Sequence, residues 1–363
     1  MPWRGPSRTD RTLMIVACCM SGPKTSNGET PQLSAGGGLY GPLSSTNSRG
    51  AERMTVTRSQ HYVWRYYLRA WASQERVWCM RDKEPFLVGL MNIAQESYFY
   101  EVKEISDDEA NFLEKVFEQP NQSPMLKKIN QNWVQIFKQP STLKCELERR
   151  QLLEGEVAQQ LKDACRQSGE DLQGAIENMG RPGLDFLKNG DVSFWKNEDD
   201  RMAFQIFLCS QYFRTRRRRE AVLSETKGAA PSCVNVENIV GPIMHMAATT
   251  VAFSMLRKPL DLYLLRNATS EPLITGDQPV INTHASDLGG REEVTELQFY
   301  YPISPTLAVL LSEEVPDNSG LTLEKVRDYN RQMHIQADSQ TFANGEAALL
   351  PYKGMERQGA ARS

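Results

Sequence analysis

Residues 236–257 place apolar side chains almost all the way round a helix: Ile243, Met244, Met246, Val251, Ala252, Phe253, Met255 and Leu256 leave no continuous polar face. A surface helix needs a polar stripe, so a segment like this belongs at the centre of a domain, covered on every side. The rest of the chain must supply the cover.

Upstream, from Ser106 to the central helix, the pattern is helical. Ser106 and Glu109 form a capping box that opens the first helix. The spacing predicts helices over roughly 107–118, 123–138, 142–167, 169–178 and 197–222 before the central one. After Pro259 the period changes. Leu262–Leu265, Leu273–Thr275, Val280–Ile281, Gln298–Tyr301 and Leu307–Leu311 are short apolar runs separated by turn residues. Before the helices, Arg76–Met80 and the run from Phe86 read as a hairpin, with an extended edge over 92–100. A last helix spans Leu323 to Gln336, with Val326, Tyr329 and Met333 on one side. The expected class is α+β: a central helical bundle packed on a mainly antiparallel sheet built from both ends of the chain.

The chain has 363 residues, 40% hydrophobic and 24% charged, enough for a sizeable core in one α+β domain over residues 58–350. Residues 1–57, rich in Gly, Ser, Thr and Pro, read as a disordered leader, with Met54 a natural start for the compact part; residues 351–363 read as a frayed tail. Seven scattered cysteines with no C-x-x-C pair fit reduced thiols in the cytoplasm. The basic N-terminus is followed by an apolar run, Leu13–Met20, at the short end for a signal core and with little of it before Cys18 of the lipoprotein-like box Ile15–Cys18, so export is the lesser reading; no apolar run of membrane-spanning length occurs. A net charge of -3 argues against a surface broadly adapted to nucleic acid.

Three constellations carry polar groups where chemistry could use them. On the helix predicted over 197–222, Phe204, Phe207 and Leu208 define a buried face that Gln211, Thr215 and Arg218 continue, with Arg214 and Arg219 flanking it. A buried arginine suits a two-point grasp of a carboxylate or phosphate; alternatively the basic run Arg214–Arg219 is a solvated helix end. In Thr275-Gly-Asp277-Gln-Pro279 an apolar strand ends on a carboxylate, either a base or an Asx turn. His61, beside Gln60 and Arg65, is a proton-transfer candidate or a histidine satisfied by a backbone carbonyl. His245, on the apolar helix with Thr249, reads as a core histidine. No Walker loop, Rossmann fingerprint, nucleophile elbow or zinc-protease motif occurs, and four histidines make a histidine-rich metal site improbable.

These blocks, in this order, resemble the family known as domain of unknown function 4238. Gln60-His61-Tyr62-Val63 with Tyr67-Leu68 resembles its opening block, and Asn92–Glu96 with Tyr98–Tyr100 its next. Gln211-x-x-Arg214-Thr215, Thr275–Pro279 and Pro302-Ile-Ser-Pro305 resemble three later ones. The resemblance spans about residues 59–344. Trp64 and Arg216 stand where the family shows proline, and Gly276 and Gln278 where it shows Ser and Asn around Asp277. The resemblance implies no activity.

The residues themselves suggest a hydrolase-like enzyme with a His/Gln/Arg/Asp pocket for an anionic, phosphoester or nucleotide-like substrate. His61 and Asp277 would be catalytic and Gln211 and Arg214 substrate-binding, with no metal assigned and the cofactor open. The alternative is a binding or structural protein in which the same four form a closed polar network. Arg216–Arg219 could also meet a nucleic-acid backbone. No membrane partner is expected.

Overall fold

The computed structural model describes residues 56–81, 84–118, 122–285, 297–316 and 320–358. The expected leader, up to residue 55, lies outside the described residues. The chain is α+β. The central apolar segment is helix α7 (Val236–Met255), buried on both flanks. One flank, through Ile239, Ile243, Met246 and Ala247, meets Leu113 of α2 (Asp107–Phe117) and Trp133 and Phe137 of α3 (Pro124–Arg149). The other, through Ala248, Val251 and Met255, meets Phe204, Phe207 and Leu208 of α5 (Glu198–Phe213).

Strands from both ends of the chain share a sheet, as the apolar runs predict. Its order is β3 (Pro85–Gly89), β2 (Arg76–Met80), β10 (Thr341–Ala343) and β6 (Thr275–Gly276), antiparallel throughout. The remaining strands form two further sheets instead of extending this one. β5 (Asp261–Arg266), β9 (Leu307–Ser312), β8 (Phe299–Ser304) and β7 (Ile281–Asn282) make a second four-stranded sheet, and β1 (Ser59–His61) pairs with β4 (Gln95–Ser97). The final helix is α8 (Leu323–Gln336). Beyond it, the expected tail is described as far as residue 358, and there Arg357 donates to the carbonyls of Met80 and Arg81, each at 3.0 Å.

Helix boundaries depart from expectation at prolines, at residues 150–154, where the helix expected over 142–167 is interrupted, at residue 168, where the expected break is absent, and at one polar pair. α3 runs through Pro140, and α4 (Gly155–Lys188) through Pro182, where breaks were expected. Each proline removes one intrahelical bond, but burial of Phe137 just before Pro140, and of Ile176 and Leu184 on either side of Pro182, holds the helix in line. The helix expected over 197–222 is two helices, α5 and α6 (Arg216–Lys227).

α4 buries Gly169, Gln173, Ile176, Gly180, Gly183 and Leu187, spaced alternately by four and three residues along one face. Two of these glycines set how closely α4 approaches its neighbours. A Cβ on Gly169 would lie 1.8 Å from the Tyr100 carbonyl oxygen, and one on Gly180 would lie 2.0 Å from the Phe207 ring. Only hydrogen fits at either place. Gly180→Ala is therefore expected to destabilise the fold by about 1–3 kcal/mol through overpacking. Urea unfolding should show a lower midpoint; an unchanged midpoint would mean that α4 and α5 can separate freely.

Candidate functional site

The site begins where α5 stops. Arg214 is the C-cap of α5, and Thr215, with extended backbone (φ -80, ψ 157), opens α6. Threonine at such a position ordinarily caps the next helix with its hydroxyl. Here the Thr215 hydroxyl instead donates to Gln278 Oε1 at 2.5 Å. Gln278 in turn donates to the carbonyl of Tyr212 at 3.0 Å and to that of Val280 at 2.9 Å. The strand-end loop is thus stitched to the last turn of α5, and the break turns Arg214 away from the line of the α5 face.

Arg214 is 3% exposed. Its Nη1 donates to Glu177 Oε1 at 2.6 Å and, more weakly, to Gln173 Oε1 at 3.4 Å, both on α4. Its Nε and Nη2 are buried and have no partner. Those two N–H groups lie side by side on the other edge of the guanidinium, the edge that receives two oxygens of an anion at once. Burial opposes the charge on Arg214, yet the groups around it, Glu177 among them, hold its pKa above the ordinary arginine value. Arg214 therefore stays a cation inside the protein. The Gln211 amide nitrogen and the Tyr301 hydroxyl are also buried without partners, and Tyr301 interacts electrostatically with Arg214 and Glu177.

Hydrogen bonds lead outward from Arg214. Gln173 accepts from it and, through Nε2, donates to His245 Nε2 at 3.3 Å, which assigns the His245 proton to Nδ1. His245 stacks on Trp133 with ring centres 4.8 Å apart. Burial, then the charge of Arg214, depresses its pKa to about 4, so the ring is neutral at pH 7. Glu170, one turn before Gln173 on α4, has a buried Oε2 without a partner. Burial, then the nearby charge of Glu177, raises its pKa to about 7. Arg214, Gln173 and His245 all line a cleft of about 710 Å³, its open mouth included, bounded by α4, α5, α7 and residues 99–103.

Of the four residues singled out in the sequence, Arg214 lines this cleft and His61, Gln211 and Asp277 do not. Asp277 is fully buried, and its carboxylate is filled. Oδ1 accepts from the Asp338 N–H at 2.8 Å. Oδ2 accepts from the Ser339 and Gln340 N–H groups at 2.9 Å each and from the Ser339 hydroxyl at 3.0 Å. It thus braces the turn that leads into β10. His61 Nε2 sits 3.2 Å from the Leu90 carbonyl. Burial, then the charges of Arg65 and Arg214, lowers its pKa. Its neighbour Gln60 is the tie that holds this region to α4: Oε1 accepts from the Tyr100 N–H at 2.7 Å and Nε2 donates to the Arg166 carbonyl at 2.9 Å.

Glu170, Gln173 and Glu177 were not anticipated. The signal was present: they recur at i, i+3 and i+7 beside buried glycines on one face of α4. It is obscured by Gly180 and Pro182, which read as a helix end. Among the described residues no group of three or more His, Cys, Asp or Glu side chains could hold a metal ion.

A family model described as "Protein of unknown function (DUF4238)" matches residues 59–162 and 159–346. The chain belongs to this family. No curated protein and no solved structure matches it. The matched region takes in every element from β1 to β10, and both helices that grip Arg214.

Asp277→Ala leaves three backbone N–H groups without their acceptor and is expected to lower stability by about 3 kcal/mol, read by urea unfolding. Burial first, partly offset by the Ser339 and Asp338 N–H groups, raises the Asp277 pKa to about 6, against an ordinary 3.8. A raised folded pKa favours the protonated form, so this contribution is complete below about pH 4 and is lost as pH rises through about 6. Asp277→Asn should flatten that part of the stability profile; an unchanged profile would contradict it.

Proposed function

We propose that the Arg214 cleft binds a small anion, and that the chain is a hydrolase-like enzyme acting on it with Glu170 as the titrating group. One observation carries this reading: a buried arginine is held by Glu177 at one end while the paired Nε and Nη2 donors of its other edge have no protein partner. Buried arginine donors are ordinarily satisfied within the protein, and a free edge beside a cleft is the feature expected of an anion anchor. The expected phosphoester or nucleotide-like substrate reduces here to its anionic group. Glu170 does not line the cleft itself but interacts electrostatically with Arg214 and Glu177; with its pKa raised to about 7 it is suited to exchange a proton through water at pH 7.

The roles expected of His61 and Asp277 shift accordingly. A carboxylate that already accepts four hydrogen bonds favours the structural reading for Asp277. For His61, the contact with Leu90 favours a placement role beside the site. The basic run offers little to a nucleic-acid backbone. Arg216 pairs with Glu220 at 2.9 Å, Arg217 donates to the Gln336 carbonyl at 2.7 Å, and Arg218 donates to the Tyr212 hydroxyl.

The test is a thermal-shift series with acetate, sulfate and inorganic phosphate on the wild type and on Arg214→Lys, which keeps the charge and loses the fork. At least one anion should stabilise the wild type saturably, and the variant should bind it about tenfold or more weakly, about 1.4 kcal/mol. No stabilisation, or equal stabilisation of the variant, would sink the reading. Ionised Glu170 repels an anion held at Arg214, so affinity should fall as pH rises through about 7. In Glu170→Gln that pH dependence should vanish; a profile that persists unchanged would remove Glu170 from the site.

A further inference from the structure

Resting on the Arg214 reading, we propose that the anion is a monocarboxylate joined to an apolar, ring-sized body, and not a phosphate ester. The charges around the cleft nearly cancel. Arg214 is matched by Glu177, Lys103 by Glu101, and Glu237 by Lys227 at 2.8 Å. Arg219 also lines the cleft; it lies over the Phe99 ring and pairs with no carboxylate among the described residues. With Glu170 protonated, one positive charge is therefore left over, enough for a singly charged ligand. A phosphate monoester carries nearly two charges at pH 7. Its second charge would have no surplus cation to match it among the groups that line the cleft.

Most of the remaining wall is apolar; of its polar residues, Asn238 spends its amide N–H on Glu109 at 3.0 Å, and Ser210 is buried on α5. Phe99, Tyr100, Phe137, Leu172, Phe213 and Met244 face the same space as Arg214. These side chains can desolvate the body of a ligand but can give nothing to a sugar or a second phosphate. The neutral His245 ring, stacked on Trp133, adds a polar edge without adding charge. The Nε–Nη2 edge of Arg214 matches the planar pair of oxygens of a carboxylate. Fork, single surplus charge and aromatic wall together fit an aryl or branched-chain carboxylate, with its acid group at Arg214 and its body toward α7.

Gly241 of α7 allows the two halves of this ligand to be tested apart. It lines the cleft, and a Cβ there would meet only Phe137, at 3.8 Å. Gly241→Leu should fill the apolar end and leave Arg214 untouched. Isothermal titration of the full-length chain at pH 6.5, below the Glu170 pKa, would compare benzoate, acetate, phenyl phosphate and inorganic phosphate. Benzoate should bind at least tenfold more tightly than acetate and more tightly than phenyl phosphate. Gly241→Leu should lose benzoate about tenfold and keep acetate. Arg214→Lys should weaken both, with circular dichroism and unfolding midpoints showing that each variant is folded. Tighter, Arg214-dependent binding of phenyl phosphate would overturn the carboxylate assignment and leave the anion site standing. Benzoate binding no tighter than acetate, or unaffected by Gly241→Leu, would overturn the apolar body. If none of the four anions binds, the anion site fails together with this inference.

Discussion

The ion pair between Arg214 and Glu177 is the constraint around which the rest of the molecule is arranged. The pair lies between α4 and α5, with Arg214 buried, Glu177 partly buried and an N–O distance of 2.6 Å. A buried pair of this kind contributes little net stability over a well-packed apolar pair, while losing one partner costs about 3–5 kcal/mol because a charge is stranded. Its worth therefore lies in what it positions. Glu177 takes one end of the guanidinium and fixes the plane of the other end, so the two free N–H groups of Arg214 have a defined direction. Rotational freedom that a surface arginine would lose on binding a ligand is already lost on folding.

Three structural devices keep that geometry. Gly169 and Gly180 let α4 lie close enough to Tyr100 and Phe207 for Glu177 to reach Arg214. Gln278 accepts the Thr215 hydroxyl and occupies the Tyr212 carbonyl, which ends α5 at Arg214. Asp277, next to Gln278, organises residues 338–340, so the loop that carries Gln278 is anchored to the strand that joins both ends of the chain in one sheet. The family blocks that lie far apart in sequence are thus joined by direct hydrogen bonds. They are parts of one support for a single side chain.

The large divisions of the fold were legible in the sequence because hydrophobic period reports burial directly. The all-apolar α7 and the capping box at Ser106 and Glu109 stand where the pattern puts them, and each run after Pro259 holds at least part of a strand, the Leu273–Thr275 run only at Thr275. The helix ends were harder to read. Pro140 and Pro182 are punctuation to a local reading, and packing overrides them; Arg214–Thr215 has no such mark, and a side chain 63 residues away ends the helix there. The same non-local effect divides the candidate site. Arg214 could be found from its place beside a buried face, whereas nothing local distinguishes Asp277 as a filled carboxylate or Glu170 as one poised near neutrality. Both properties depend on groups from other elements that only the folded chain brings near.

The central claim is that the Nε–Nη2 edge of Arg214 is the point where ligand meets protein. It can be observed directly in a proton–nitrogen spectrum of the arginine side chains, with the Arg214 Nε–H signal identified by its loss in Arg214→Lys. As benzoate is added, that signal should move downfield and saturate with the same dissociation constant as the calorimetric titration. A signal that stays in place while benzoate binds would show that the ligand lies elsewhere and that the free edge of Arg214 is not a binding group.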